Sequence, residues 1–244
     1  MQDQLLKTII EKTLSQLTPE EAAGLIDNTL LSPRTTIPDA LRLIEETARY
    51  GLNCAMIPSA LVYRVYDAAK SLGTRLCTVI GFPLGAVAAD SKRAEILTVS
   101  SYVEEIDIVA PIWAAESGNY DYLVEELNEL VTTAKEHGIG TVKIIVMAPL
   151  VSDNVLAMLV EASAKAGADY VKTSTGVYSK GGDPRTVLRL SELAEKYGLK
   201  VKAAGGIRTA IDMILALASG AHRIGTSAGV RILEDYKRLY EQLA

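Results

Sequence analysis

Lys172 and Lys202 are the residues whose type and place most directly suggest chemistry. Each follows a valine inside a short apolar run, YVKTSTG and KVKAAGG, and a glycine comes three or four residues later. A strand interior is a poor place for lysine, because a buried ammonium is costly unless it has partners. Neighbouring strands lie about 4.8 Å apart. Two inward-facing lysines on adjacent strands would each disfavour the charged form of the other. A neutral lysine attacks carbonyl carbon and forms a Schiff base. The competing possibility is that one or both reach outward and snorkel to solvent. Two such runs, each leading into a glycine-containing loop, favour the inward pair.

Asp107, in EEIDIV, reads as the one acid inside an apolar strand on the side of these lysines. There it could stay ionised and pass protons through water, or simply form a structural ion pair. Lys143 is followed by the apolar run IIVMAP, which places it deep in the fold in a structural role. Two glycine loops, Gly205-Gly206-Ile207-Arg208 and Gly225-Thr226-Ser227-Ala228-Gly229, follow later runs. Backbone N–H groups in such loops can approach an anion, although tight turns also need glycine. Cys54 and Cys77 read as buried core thiols. Together with His137 and His222 they have no zinc-ligand spacing, so no metal is expected. His137 falls in the last turn of a helix, and His222 opens the last strand at the end away from the candidate site. Trp113 and Tyr120 lie in or near the loop after the fourth strand.

The elements that must hold these residues follow from one recurring pattern. Gly51, Gly73, Gly138, Gly167, Gly198 and Gly220 each close a helical stretch, and a short apolar run follows each. Glycine is the usual helix C-cap, and continuous apolar runs suit strands buried on both faces of a parallel sheet. EEIDIVAP and GLIDNTLL (24–31) bring the strands to eight. The best-defined helix follows Asn119, with Leu123, Val124, Leu127, Leu130, Val131 and Ala134 on one stripe. The pattern predicts an α/β fold, a (β/α)8 TIM barrel with an extra N-terminal helix. It forms a single domain, 1–244, with residues 1–20 as the helical extension. In such a barrel the strand C-termini carry the active site, and the loops after strands 7 and 8 carry phosphate. The first strand contributes Asp27 and Thr29 at that end.

With 49% hydrophobic and 23% charged residues, the composition is that of a globular chain. A net charge of −5 argues against a general nucleic-acid surface but leaves room for a local basic pocket. No apolar run is long enough to span a membrane, and the N-terminus lacks a signal-peptide core. A soluble, cytoplasmic protein is expected.

The chain resembles the 2-deoxyribose-5-phosphate aldolase family of class I aldolases. The matching pieces are IDNTLL (26–31), VIGFPLGA (79–86), EIDIV (105–109), SGNY (117–120), GADYVKTSTG (167–176), VKAAGGIRT (201–209) and RIGTSAG (223–229). GADYVKTSTG with VKAAGGIRT is highly specific to the family. The resemblance implies that Lys172 forms the Schiff base, Lys202 tunes it and Asp107 relays protons. It implies that Gly205, Gly206 and Ser227 hold the phosphate. Thr175, Gly176, Arg208, Asp27 and Thr29 are expected to complete the contacts to a phosphosugar. The protein would be a homo-oligomer, dimer or tetramer, and would use no cofactor. The chain departs from the family pattern at Asn28, at Ala55-Met56-Ile57-Pro58, at Val146 and Met147, and at Ala228. Two other functions compete with this one. The first is a Schiff-base aldolase for another phosphosugar, and the second is a phosphosugar-binding barrel that has lost catalysis.

Overall fold

A computed structural model describes residues 2–242. Two helices, α1 (Gln2–Gln16) and α2 (Pro19–Ala23), precede the first strand, β1 (Ile26–Thr29). Then follow α3 (Ile37–Tyr50), β2 (Cys54–Met56), α4 (Ser59–Ser71), β3 (Leu76–Ile80), α5 (Ala89–Val99) and β4 (Glu105–Val109). Next come α6 (Ile112–Glu116), α7 (Tyr120–Glu136), β5 (Thr141–Ile145), a single 3₁₀ turn (Ala148–Leu150), α8 (Asp153–Lys165) and β6 (Tyr170–Lys172). The chain ends with α9 (Pro184–Glu195), β7 (Lys200–Ala204), α10 (Ala210–Ala218), β8 (Arg223–Thr226) and α11 (Gly229–Glu241). The strands pair in chain order, all parallel, and β8 returns to β1 to close the barrel. Trp113 and Tyr120 lie in helices, because the connection after β4 folds into α6 and then starts α7.

Local signals set the helix ends. Thr36 and Asp39 form a reciprocal capping box at α3, and Gly51 closes that helix at φ 65. Alternation then divides each strand between two environments. Outward residues such as Ile106, Ile108, Ile144, Val171, Val201 and Ile224 pack with the helices into the main core. The inward residues split into two kinds. β1, β6, β7 and β8 and the lower halves of β4 and β5 carry charge. β2, β3 and the upper halves of β4 and β5 are apolar, forming two small clusters that meet at Phe82.

The structure corrects the reading of the cysteines as free thiols. Cys54 and Cys77 are fully buried but joined as a disulfide, with Cα atoms 6.1 Å apart. Both lie on the inward faces of adjacent strands, and the register pairs Met56 with Cys77. Spacing along the chain does not reveal that proximity.

A buried ion pair braces the loop between β3 and α5. Lys92 on α5 bonds Glu126 on α7 at 2.6 Å and donates to the Val109 carbonyl at the end of β4, 2.9 Å away. Its stem packs against Gly81, where an added Cβ would lie 2.9 Å from Lys92 Cε. Glu95 accepts from the Gly81 amide at 2.8 Å. These contacts hold Phe82 over the C-terminal mouth of the barrel.

Candidate active site

Register across β4 to β8 builds the site. Lys172 on β6 pairs with Lys202 on β7 on one side and with Ile145 on β5 on the other. Both lysines turn inward, and both donate to the same oxygen. Lys172 Nζ is 2.8 Å and Lys202 Nζ 2.7 Å from Asp107 Oδ2. Lys202 also binds Asp27 Oδ2 at 2.6 Å. Arg223 binds Asp27 Oδ1 at 2.9 Å and Glu105 at 3.2 Å. Lys143 closes the ring, 2.5 Å from Glu105 and 3.2 Å from Asp107 Oδ1. Asn53 donates to Asp27 at 2.7 Å.

The ring holds four cations, Lys143, Lys172, Lys202 and Arg223, against three carboxylates. Neutrality in a low-dielectric interior is reached when one cation gives up its proton. Burial, the largest influence on Lys172, lowers its pKa. Asp107 works against that effect and Lys202 adds to it, and the result is a value lowered to about 8. Burial also acts against the charge on Lys143, but Asp107, Asp27 and Glu105 outweigh it and hold that ammonium above its ordinary value. Asp107 is fully enclosed, which favours protonation, yet Lys172, Lys202 and Lys143 keep it well below the usual carboxylate range. So Lys172 becomes neutral more readily than Lys143. It is also the only lysine of the ring at the mouth, 3% exposed where Lys143 and Lys202 are 0%.

The loops after β6, β7 and β8 meet beside it. Thr173 and Ser174 hydroxyls both donate to the Ala204 carbonyl, at 3.1 and 3.0 Å, and tie the end of β6 to β7. That brings Gly176 against Gly205, where an added Cβ would lie 3.3 Å from the Gly205 Cα. Gly205 and Gly206 both have positive φ, 94 and 88, a conformation that turns successive amides toward one side. Thr226 Oγ1 donates to the Ile207 carbonyl at 2.7 Å and draws the last loop in. Ser227 stands exposed just ahead of α11, whose N-cap is Ala228 with no side-chain bond to the helix amides. Those amides and the helix dipole suit an anion.

Comparison with known proteins accords with this geometry. Residues 25–235 match the model of the DeoC/LacD family aldolases. A deoxyribose-phosphate aldolase of Aeropyrum pernix is 44% identical over 235 residues, 96% of this chain and 98% of that protein. One from Caldanaerobacter subterraneus subsp. tengcongensis is 39% identical, covering 88% of this chain and 94% of the relative. The chain belongs to the DeoC/LacD family of aldolases. Among solved structures, the tetrameric deoxyribose phosphate aldolase from Aeropyrum pernix superimposes on this family member with a TM-score of 0.88, at 45% identity. That match covers 95% of this chain and 97% of the other.

In this DeoC/LacD aldolase, Lys172, Lys202 and Asp107 come together as expected from the sequence. Asp107 is not the lone acid that it seemed. Glu105, two residues earlier in EEIDIV, shares its face, and strand alternation alone would have pointed to it. Asp27, expected to touch substrate, is 0% exposed, and both its oxygens are bound within the ring. It holds Lys202 in place. Thr29, half-buried at the mouth, donates to the Asp27 carbonyl at 2.9 Å. Arg208 has its amide bonded to Asp212 at 2.9 Å, while its side chain is exposed on the rim. Thr175 accepts from the Val177 amide at 3.3 Å. Arg223, Asn53 and Lys180 were missed by sequence reasoning. The stem of Lys180 lies over Gly206, within 3.3 Å of an added Cβ, and brings a further cation to the glycine loops. No helix among the described residues is long and apolar enough to cross a membrane.

Proposed function

We propose that the protein cleaves 2-deoxy-D-ribose 5-phosphate reversibly to acetaldehyde and D-glyceraldehyde 3-phosphate through a Schiff base on Lys172. One observation carries this reading. Lys172 presents a buried amine, with a pKa lowered to about 8, at the barrel mouth beside the glycine loops after β7 and β8. In cleavage, neutral Lys172 attacks the aldehyde carbon of the open-chain sugar, and loss of water leaves a protonated imine. The C3 hydroxyl gives up its proton while the C2–C3 bond pair moves into the imine. Glyceraldehyde 3-phosphate departs and an enamine stays on Lys172. Protonation of the enamine carbon and hydrolysis release acetaldehyde. The imine is the electron sink, so the chemistry calls for no metal. Asp107 holds the amine and passes protons through water. Lys202 stands beside Lys172 and tunes it by lowering its pKa. Gly205, Gly206, Ser227 and the α11 amides receive the phosphate, with Thr175, Gly176 and Arg208 around it and Thr29 on the sugar side. A homo-oligomer is supported by the tetrameric assembly of the Aeropyrum pernix relative. A phosphorylated substrate suits a cytoplasmic site of action.

The test is acetaldehyde with borohydride, followed by mass spectrometry. The wild type gains an adduct on Lys172, and Lys172→Ala gains none and loses cleavage while keeping its fold. An adduct on Lys143 or Lys202 instead would overturn the assignment, and no adduct at all would point to a binding protein. A panel of phosphosugars separates this substrate from others.

A further inference from the structure

We propose that Val109, Ile145 and Met147, roofed by Phe82, select the aldehyde that Lys172 takes as donor: one whose carbon next to the carbonyl carries no hydroxyl. The inference rests on the Schiff-base reading above and assigns the specificity of that same site.

The register supplies the observation. Val109 pairs with Ile145, Ile145 with Lys172, and Lys172 with Lys202, so Lys172 stands where the apolar half of the barrel meets the ionic half. Its Nζ reaches across β5 to Asp107 on β4, and Val109 is the next inward residue above Asp107. A donor bound to Nζ therefore carries its reacting carbon under the cluster of Val109, Ile145 and Met147, with Phe82 packed against it. Val109 and Ile145 are 0% exposed and Met147 is 5%. The backbone there is also committed. The Val109 carbonyl accepts from Lys92 at 2.9 Å, the Ile145 carbonyl from the Ala110 amide at 3.2 Å, and the Val146 amide donates to the Lys172 carbonyl at 3.0 Å. A hydroxyl on the donor carbon, where that carbon lies against this cluster, would be stripped of water and find no partner on the apolar wall. Apolar pockets reject an added hydroxyl by up to about 10²-fold.

Acetaldehyde and glycolaldehyde form the matched pair, differing by one hydroxyl. The experiment is competitive borohydride trapping of both on Lys172, read by mass spectrometry in wild type, Ile145→Thr and Met147→Asn. Thr keeps β-branching in the strand. Asn suits position 147, whose φ is 50, a region that asparagine enters more readily than methionine. The wild type is expected to favour acetaldehyde by roughly 10- to 100-fold. Each substitution should bring that ratio at least several-fold closer to one. Equal trapping by the wild type, or a ratio that both folded variants leave in place, overturns the inference. Failure of acetaldehyde itself to trap on Lys172 overturns the aldolase reading instead.

Discussion

Replacing Lys202 with leucine tests how Lys172, the proposed nucleophile, is tuned. Lys172 and Lys202 bind one oxygen, Asp107 Oδ2, at 2.8 and 2.7 Å. Two charges about 5 Å apart at an effective dielectric of about 20 repel by roughly 3 kcal/mol, which is about two pKa units. Lys202→Leu removes that repulsion and leaves more of Asp107 for Lys172. The midpoint for imine formation should therefore move from about 8, the value for Lys172 in the intact ring, toward its ordinary 10.5. At pH 7 the neutral fraction falls by roughly 100-fold if the shift is about two units. The assay is the rate of acetaldehyde trapping against pH in both proteins. Arginine at 202 should hold the midpoint lower than leucine does, since it keeps the charge. The fold should survive, because Asp27 keeps Arg223 at 2.9 Å and Asn53 at 2.7 Å. Stability carries a matching sign. The pKa of Lys172 is lower in the folded chain than in the unfolded one, so this group favours folding more as pH rises from about 8 toward 10.5. Lys202→Leu shrinks that gain. An unchanged midpoint in the leucine variant would refute this account and leave burial, the larger influence, to set the value together with Asp107.

Ser227→Asp should raise KM for the phosphorylated sugar by about 10²-fold or more, while unphosphorylated deoxyribose is little affected, since it sets like charge against the anion. Equal losses on both substrates would assign the loop to chemistry or folding. Lys92→Met leaves Glu126 buried and unpaired and should destabilise the protein by about 3–5 kcal/mol, with much of that recovered in the Lys92→Met, Glu126→Leu double variant. Urea titration decides it, and no recovery would mean that the stem of Lys92 against Gly81 matters more than its charge. Cys54→Ala with Cys77→Ala opens a cross-link between residues 23 apart and should cost about 3 kcal/mol, seen as a lower Tm. Because both sulfurs are fully buried, added thiol should leave the native wild type unreduced until it unfolds. Two free thiols in protein denatured without reductant would contradict the cross-link.

What the sequence determined by itself was whatever depends on neighbours along the chain. Glycine caps and apolar runs specify eight βα units, because helix ends and strand burial are local matters of backbone freedom and side-chain period. Residue type then marked Lys172, Lys202 and Asp107, since charge inside an apolar run demands an explanation. Local pattern also placed the glycine loops at the strand ends. The tertiary structure decided everything that depends on register between strands. Only the closed barrel shows that Lys172 and Lys202 share one carboxylate oxygen, and that Asp27 is enclosed against Lys202 and Arg223. Glu105 and Arg223 complete the ring from strands that lie far apart in the chain. Cys54 and Cys77 looked like ordinary core residues because nothing in their 23-residue separation shows that their strands are adjacent and both face inward. The apolar wall over Lys172 has the same origin. Val109, Ile145 and Met147 are unremarkable hydrophobes in sequence, and Val109 and Ile145 line up with Lys172 only because β4, β5 and β6 pair in that one register.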